Sequence, residues 1–173
     1  AISDLTNYTS EILDFARGTP MKLAPGMVGD LLDELRPRVR FLQARSSISI
    51  DLDGDANIPL QLDRVKLGRA LINLVNNAVE AAGSSADGPG RVRVEFSVAA
   101  GHVVCDVFDN GPGIPDALRT TLFNAFATQG KAQGTGLGLS IAKRIVEAHG
   151  GTLTLAPETQ GTTFRIQLPI ASV

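Results

Sequence analysis

Three short stretches of this chain carry groups suited to binding chemistry. Within Leu67 to Ala82, L-G-R-A-L-I-N-L-V-N-N-A-V-E-A-A, Asn73 and Asn77 are spaced by one helical turn and Glu80 follows after another. In a helix, two neutral carboxamides and an acid would therefore share one edge. Carboxamide oxygens suit a hard cation such as Mg2+, and carboxamide NH2 groups suit phosphate oxygens. The plainer reading is a solvated face or a local kink, since asparagine is a mediocre helix former. Asp109-Asn110-Gly111-Pro112-Gly113 places a carboxylate before two glycines that let the backbone turn and approach a ligand closely. An ionised carboxylate only accepts hydrogen bonds, which fits a planar amino group such as that of adenine, although the same five residues also make a plain turn. Gly134-Thr135-Gly136-Leu137-Gly138-Leu139 precedes a helical pattern, and backbone N–H groups at a glycine-fringed helix start attract anions. Alone this run is weak evidence. It follows neither the Rossmann order nor the Lys-Ser/Thr ending of a P-loop.

The elements that must position these groups follow from periodicity. Leu67, Leu71, Leu74, Val75 and Ala78 fall on one stripe of a single amphipathic helix, with Asp63 as its N-cap. A glycine- and serine-rich loop leads to Val92, Val94, Phe96 and Val98, which alternate as a strand. Gly101 then turns the chain into Val103, Cys105 and Val107 with the same period, giving an antiparallel hairpin that ends at Asp109. Residues 115–136 lack periodicity apart from a short turn around Leu118 to Phe126. Leu137 to His149 reads as a helix with Leu137, Ile141, Ile145 and Ala148 on its apolar side, stopped by Gly150-Gly151. Closing strands are expected over 152–155 and 162–168.

Upstream, Leu5, Tyr8, Ile12 and Phe15 give residues 1–17 a short helical seam, ended by Gly18-Thr19-Pro20. Pro25-Gly26 marks a break after a short extended piece. Met27 to Arg45 is a helical pattern that Pro37 should kink or end. Ser47 to Leu52 alternates as a strand closed by the turn Asp53-Gly54-Asp55.

The length of 173 residues fits one domain with a short appendage. Sixteen basic against eighteen acidic residues, with no basic run, do not point to nucleic acid as a partner. No apolar run approaches the roughly 20 residues of a membrane-spanning helix, and no secretory pattern opens the chain. Position 1 is Ala rather than Met, so the chain reads as a piece of a longer protein whose transmembrane or sensory parts lie upstream. The single cysteine, Cys105, sits in an apolar run and reads as a core thiol in a reducing compartment.

Taken in order, N-L-V-N-N-A, D-N-G-P-G, F-N-A-F and G-T-G-L-G-L-S-I-A-K-R-I-V-E-A-H-G-G resemble the N, G1, F and G2 boxes of the GHKL superfamily, and within it the catalytic domain of sensor histidine kinases. The ending G-T-T-F-R-I-Q-L-P resembles that family's last strand. The resemblance covers roughly residues 20–170. It implies an α+β fold, the two-layer Bergerat sandwich, with a mixed, mostly antiparallel sheet, helices on one face and an ATP lid. It divides the chain into residues 1–19, the end of a dimerisation helix or a linker, and residues 20–173, the ATP-binding catalytic domain. It implies that Asn77 coordinates Mg2+ with Asn73 beside it and Glu80 on the same edge, and that Asp109 takes the adenine amino group with Thr162 assisting through water. Gly111, Gly113 and Ile114 would admit the base, and Gly134, Thr135, Gly136, Leu137, Gly138 and Leu139 would hold the phosphates. Lys131 would be a lid cation near the γ-phosphate. Two departures touch the lid: Asn124 and Ala125 stand where F-E-P-F is common, and T-Q-G-K stands where T-T-K is frequent.

The implied activity is that of an ATP-dependent protein-histidine kinase using Mg2+ and located in the cytoplasm. Its expected partners are its own dimerisation domain as a homodimer and a response regulator receiver domain, with no nucleic acid and no membrane contact in this piece. Residue 73 separates reaction types, because ATP-hydrolysing relatives carry a glutamate there as general base, and Asn73 cannot accept a proton at neutral pH. Such a site hands the γ-phosphoryl to an outside nucleophile. His102 and His149 are the only histidines, and neither is followed by an H-box pattern, so both are expected to be structural, His149 as a favoured cation in a last helical turn. The alternatives are a GHKL ATPase or protein-serine kinase, and a degenerate module that docks a response regulator.

Overall fold

Alternation fixes which side of the sheet is covered. On β4 (Arg91–Ala99), Val92, Val94 and Phe96 are buried while Arg91 and Arg93 are exposed. On β5 (His102–Asp109), Val103, Cys105 and Val107 share the buried side. These strands belong to a computed structural model that describes residues 20–85, 88–125, 136–158 and 160–170. The remaining elements are β1 (Ala24–Met27), α1 (Val28–Arg45), β2 (Ser49–Gly54), β3 (Pro59–Leu62), α2 (Arg64–Ala82), the single turn α3 (Asp116–Arg119), α4 (Gly138–Ala148), β6 (Thr152–Leu155) and β7 (Thr162–Pro169).

Five strands form one sheet in the order β2-β4-β5-β7-β6, antiparallel throughout except for the parallel pair β2/β4. The β4–β5 hairpin turns through Ala100 and Gly101, whose positive φ values of 48° and 75° suit the twist of a tight two-residue loop. The three long helices lie on one face. Val28, Leu31, Leu32 and Leu35 of α1, Leu67, Leu71, Leu74 and Val75 of α2, and Ile141, Ala142 and Val146 of α4 bury their apolar stripes. Most of these join the inward residues of β4, β5 and β7 in one core. The opposite sheet face is polar, with Arg165 donating to both carboxylate oxygens of Asp106 at 2.8 and 2.7 Å. Cys105 is buried in the core, and burial, with a smaller push from Asp106, keeps its thiol protonated.

The structure corrects several expectations. α1 runs unbroken through Pro37, which is exposed, as is Asp33, the residue whose carbonyl loses its partner, so water can satisfy that carbonyl. The break expected at Pro25-Gly26 is instead β1, paired antiparallel with β3 in a separate two-stranded sheet. Pro25 is tolerated there because an edge strand can spare an N–H, and a Cβ at Gly26 would run into Leu62. On α4 the buried stripe passes through Val146 to His149 rather than to Ala148, which is exposed.

Candidate active site

α2 is set from both sides before it presents any group to a ligand. Asp63 caps its start, Oδ1 accepting the Lys66 N–H at 3.2 Å. Arg38 of α1 donates from Nε and Nη2 to the Asn76 carbonyl oxygen at 3.1 and 2.9 Å. Of the three asparagines on α2, Asn76 is thus turned to α1 as a packing group. Asn73 faces α4, its Nδ2 donating to the Gly138 carbonyl at 3.4 Å. Asn77 is half-buried one turn further along, and Glu80 is exposed.

α4 begins without a side-chain cap. Leu137, its N-cap residue, is buried and its side chain makes no capping bond, Gly136 before it takes φ +66°, and in the first turn the Ser140 hydroxyl donates to the Leu137 carbonyl at 2.8 Å. The leading N–H groups of a helix have no carbonyl within the helix to meet, and here they open beside Asn73. Leu139 and Ile114 are half-buried and pack on the core.

At the other end of the edge, Asp109 terminates β5 directly opposite Thr162 of β7. Both are buried. Asp109 Oδ1 accepts the Gly111 N–H at 2.9 Å. Burial pushes its carboxyl up from 3.8 to about 6, and the Gly111 N–H pulls partly against that by favouring the ionised form. A Cβ at Gly111 would stand 2.6 Å from the Ala81 carbonyl of α2, so only a bare backbone lets the turn seat on the helix. Gly113 (φ +77°) and Gly161 (φ +78°) complete the turn, and a Cβ at Gly161 would strike the Asp109 carbonyl.

The sequence-expected residues are therefore gathered along one line. Gly111 and Asp109 lie at Ala81, Asn77 is one turn back, and Asn73 meets the start of α4 one turn further back. At about 1.5 Å per residue, the eight residues from Ala81 to Asn73 cover roughly 12 Å. Lys131, Gly134 and Thr135 lie outside the described residues. Among the described residues no cluster of three or more His, Cys, Asp or Glu could hold a metal ion. The donors present instead fit Mg2+ carried by phosphates, an ion that takes few protein ligands and keeps its waters.

Two residues of the site escaped the sequence reading. Asn110, inside what looks like a plain turn, is buried, accepts the Arg91 N–H at 2.7 Å and donates to the Pro89 carbonyl at 3.0 Å, fastening the turn to the loop before β4. Gly161 had only the weak signal of a glycine before a β-rich run. Both histidine side chains contact backbone groups away from Asp109 and Asn73. His102 is exposed, with Nδ1 at 3.0 Å from the Ala100 carbonyl. His149 is buried, and its Nε2 accepts the Asp63 N–H at 2.9 Å, so in this arrangement the ring is neutral rather than the expected cation.

Residues 62–172 match the family described as histidine kinase-, DNA gyrase B-, and HSP90-like ATPase. The chain is 38% identical over 174 residues to the C4-dicarboxylate transport sensor protein DctB of Rhizobium meliloti, covering 97% of this chain but 27% of that protein. It thus spans about a quarter of that relative's length. Among solved structures it is similar to the mycobacterial sensor histidine kinase MprB, with TM-score 0.71 and 31% identity over 88% of this chain and all of that one. It is also similar to full-length ShkA solved in complex with AMPPNP, with TM-score 0.82 and 28% identity over 98% of this chain and 36% of that one.

Proposed function

The chain belongs to the histidine kinase-, DNA gyrase B- and HSP90-like ATPase family, with its likeness among sensor histidine kinase catalytic domains, and from that premise we propose a phosphoryl-transfer role. It binds Mg-ATP and passes the γ-phosphoryl to a histidine on a dimerisation domain of its own protein, for relay to a response regulator receiver domain. The observation that carries this reading is Asn73, a neutral amide bonded to the Gly138 carbonyl at the start of α4. A residue there that cannot take a proton positions phosphates without activating water.

The remaining roles follow from each group's chemistry. Asp109 accepts the adenine amino group when ionised, with Thr162 opposite it assisting through water. Gly111 and Gly113 keep the base's path clear, and the roughly 12 Å of α2 beyond them is a span that a base, ribose and phosphates can bridge. Asn77 supplies a carboxamide oxygen to Mg2+, and Gly136 to Leu139 supply backbone donors to phosphate oxygens. Bound Mg2+ contributes neutralisation of phosphate charge. Lys131 adds a cation from the lid. The acceptor imidazole comes from outside, because His149 is buried with both ring nitrogens at hydrogen-bonding distance of backbone groups, and His102 begins β5 at the end opposite Asp109. Residues 1–19 are assigned to the dimerisation helix or linker, residues 20–173 to the catalytic domain, and the domain to the cytoplasm. No helix among the described residues is long and apolar enough to cross a membrane.

Titration of the chain with Mg-ATP tests the site. The unaltered chain should bind, and Asp109→Ala should bind at least tenfold more weakly, as expected for loss of a hydrogen bond to a charged group. Incubation with labelled ATP should leave the chain unlabelled, yet label a histidine-bearing dimerisation hairpin added separately. Equal affinity in both proteins, or stable phosphohistidine on the chain itself, would refute the assignment.

A further inference from the structure

α2 and α4 are antiparallel neighbours joined by polar contacts at two places. At one, Asn73 meets the Gly138 carbonyl at the start of α4. At the other, His149 at the C-terminus of α4 reaches Asp63 at the N-terminus of α2. Nε2 of His149 accepts the Asp63 N–H at 2.9 Å, and Nδ1 lies 2.7 Å from the Ile145 carbonyl one turn back on its own helix, the geometry of a neutral imidazole that donates from Nδ1 and accepts at Nε2. Asp63 is itself engaged at both carboxylate oxygens. Its Oδ1 caps α2 at Lys66, and its Oδ2 accepts the Lys22 N–H at 3.1 Å, from the segment that leads into β1. Both His149 and Asp63 are buried, with 5% and 8% of their surface exposed.

We infer that His149 is a positioning residue for the nucleotide site: through the Asp63 N–H it fixes how far α4 can slide along α2, and hence where the N–H groups of α4 stand relative to Asn73 and Asn77. The physical reason lies in the contrast between the two contacts. The Asn73 bond, at 3.4 Å, is long and part-exposed, and it lies where a ligand must compete for the same groups. The His149 bond is buried, near-ideal in length and roughly 15 Å away along the helix, so it can hold the register without occupying the site. The apolar stripe of Ile141, Ala142 and Val146 resists separation but gives little resistance to sliding. A directional bond to a single N–H supplies that resistance. Lys22 on the same Asp63 ties the incoming chain to this anchor as well.

This inference rests on the nucleotide-binding reading above, and a matched pair of substitutions separates the two. In His149→Gln the side-chain amide reaches as far as Nε2 and can still accept the Asp63 N–H. In His149→Asn the amide reaches only as far as Nδ1, keeping the contact with Ile145 and losing the one with Asp63. Mg-ATP affinity is measured by calorimetry for the full 173-residue chain and both variants, well below their melting temperatures, with Tm recorded for each. The expected result is roughly three- to tenfold weaker binding in the Asn variant, the range of one net hydrogen bond, with affinity recovered to about twofold of the original in the Gln variant. A merely structural histidine would lower Tm in either variant and leave the affinity of the folded protein unchanged. Equal affinities for the Asn and Gln variants overturn the positioning role while leaving the site assignment intact. Failure of the unaltered chain to bind Mg-ATP overturns both.

Discussion

The two ends of the proposed site, at Asp109 and at the start of α4, are built on opposite principles. Around Asp109 almost every group is already engaged. The carboxylate holds the Gly111 N–H, Asn110 is bonded from both ends of its amide, and Gly111 and Gly161 are packed so closely that no Cβ fits. The start of α4 is more loosely packed among the described residues. No side chain caps the helix, and a Cβ at Gly138 would find its nearest neighbour, an Asn73 atom, only 3.9 Å away. A flat base is recognised by shape and a few fixed acceptors, which a rigid, closely packed wall provides. A phosphate chain is held by donors that must be unsatisfied until it arrives.

The largest effect should come from changing the chemistry of the open end. Asn73→Glu introduces a general base beside the α4 N-terminus, and general bases contribute on the order of a hundredfold or more to such steps. ATP hydrolysis by the isolated chain should therefore rise from background, as a phosphate-release assay would record. No increase would mean that residue 73 does not face the γ-phosphate.

Next in size is the steric contrast. Gly161→Ala forces a Cβ into the Asp109 carbonyl at a positive φ and should cost about 3 kcal/mol or more in urea unfolding. Gly138→Ala places its methyl in ordinary van der Waals contact with Asn73 in the first turn of a helix, so stability should hold or rise by up to about 1 kcal/mol, while Mg-ATP binding should weaken if, as proposed, the added methyl stands where phosphate approaches. Equal destabilisation by both would erase the distinction between the two ends.

The smallest effect is a pH dependence confined to the closely packed end. Because burial raises the Asp109 carboxyl from 3.8 to about 6, the folded chain holds a proton that the unfolded chain has released between those values. Stability from this group is therefore present below about pH 4 and declines as pH rises through 6. Nucleotide binding runs the other way, since the adenine amino group needs the ionised acceptor. Affinity should fall roughly tenfold from pH 7 to pH 5. Asp109→Asn should remove the part of both profiles that steps near pH 6. Profiles that keep that step in the Asn variant would assign it to the ligand or to another group.

Much of this contrast was legible in the chain itself. Strict alternation in β4 and β5 gave the hairpin, the 3.6-residue stripe gave α2, and the glycines before α4 marked a helix start that a ligand could approach. The misses have a common cause. β1 and β3 are four residues each and carry proline or glycine, so pairing with each other, not local preference, makes them strands. Pro37 sits in an unbroken helix because Val28, Leu31, Leu35 and Val39 hold both halves on the same core. Asn110 looked like a turn residue because its two partners, Arg91 and Pro89, are nineteen and more positions away.

Composition and periodicity alone determined the helices, the central strands and the order of the ligand-facing motifs, because those depend on near neighbours along the chain. Only the folded arrangement decided that Asn76 turns to Arg38 and Asn73 to Gly138. It also decided that Asp109 is buried deeply enough to hold its proton to about pH 6 and that His149 reaches Asp63. Direction, burial and partnership of a polar group are set by what packs against it from distant segments, and no local pattern encodes them.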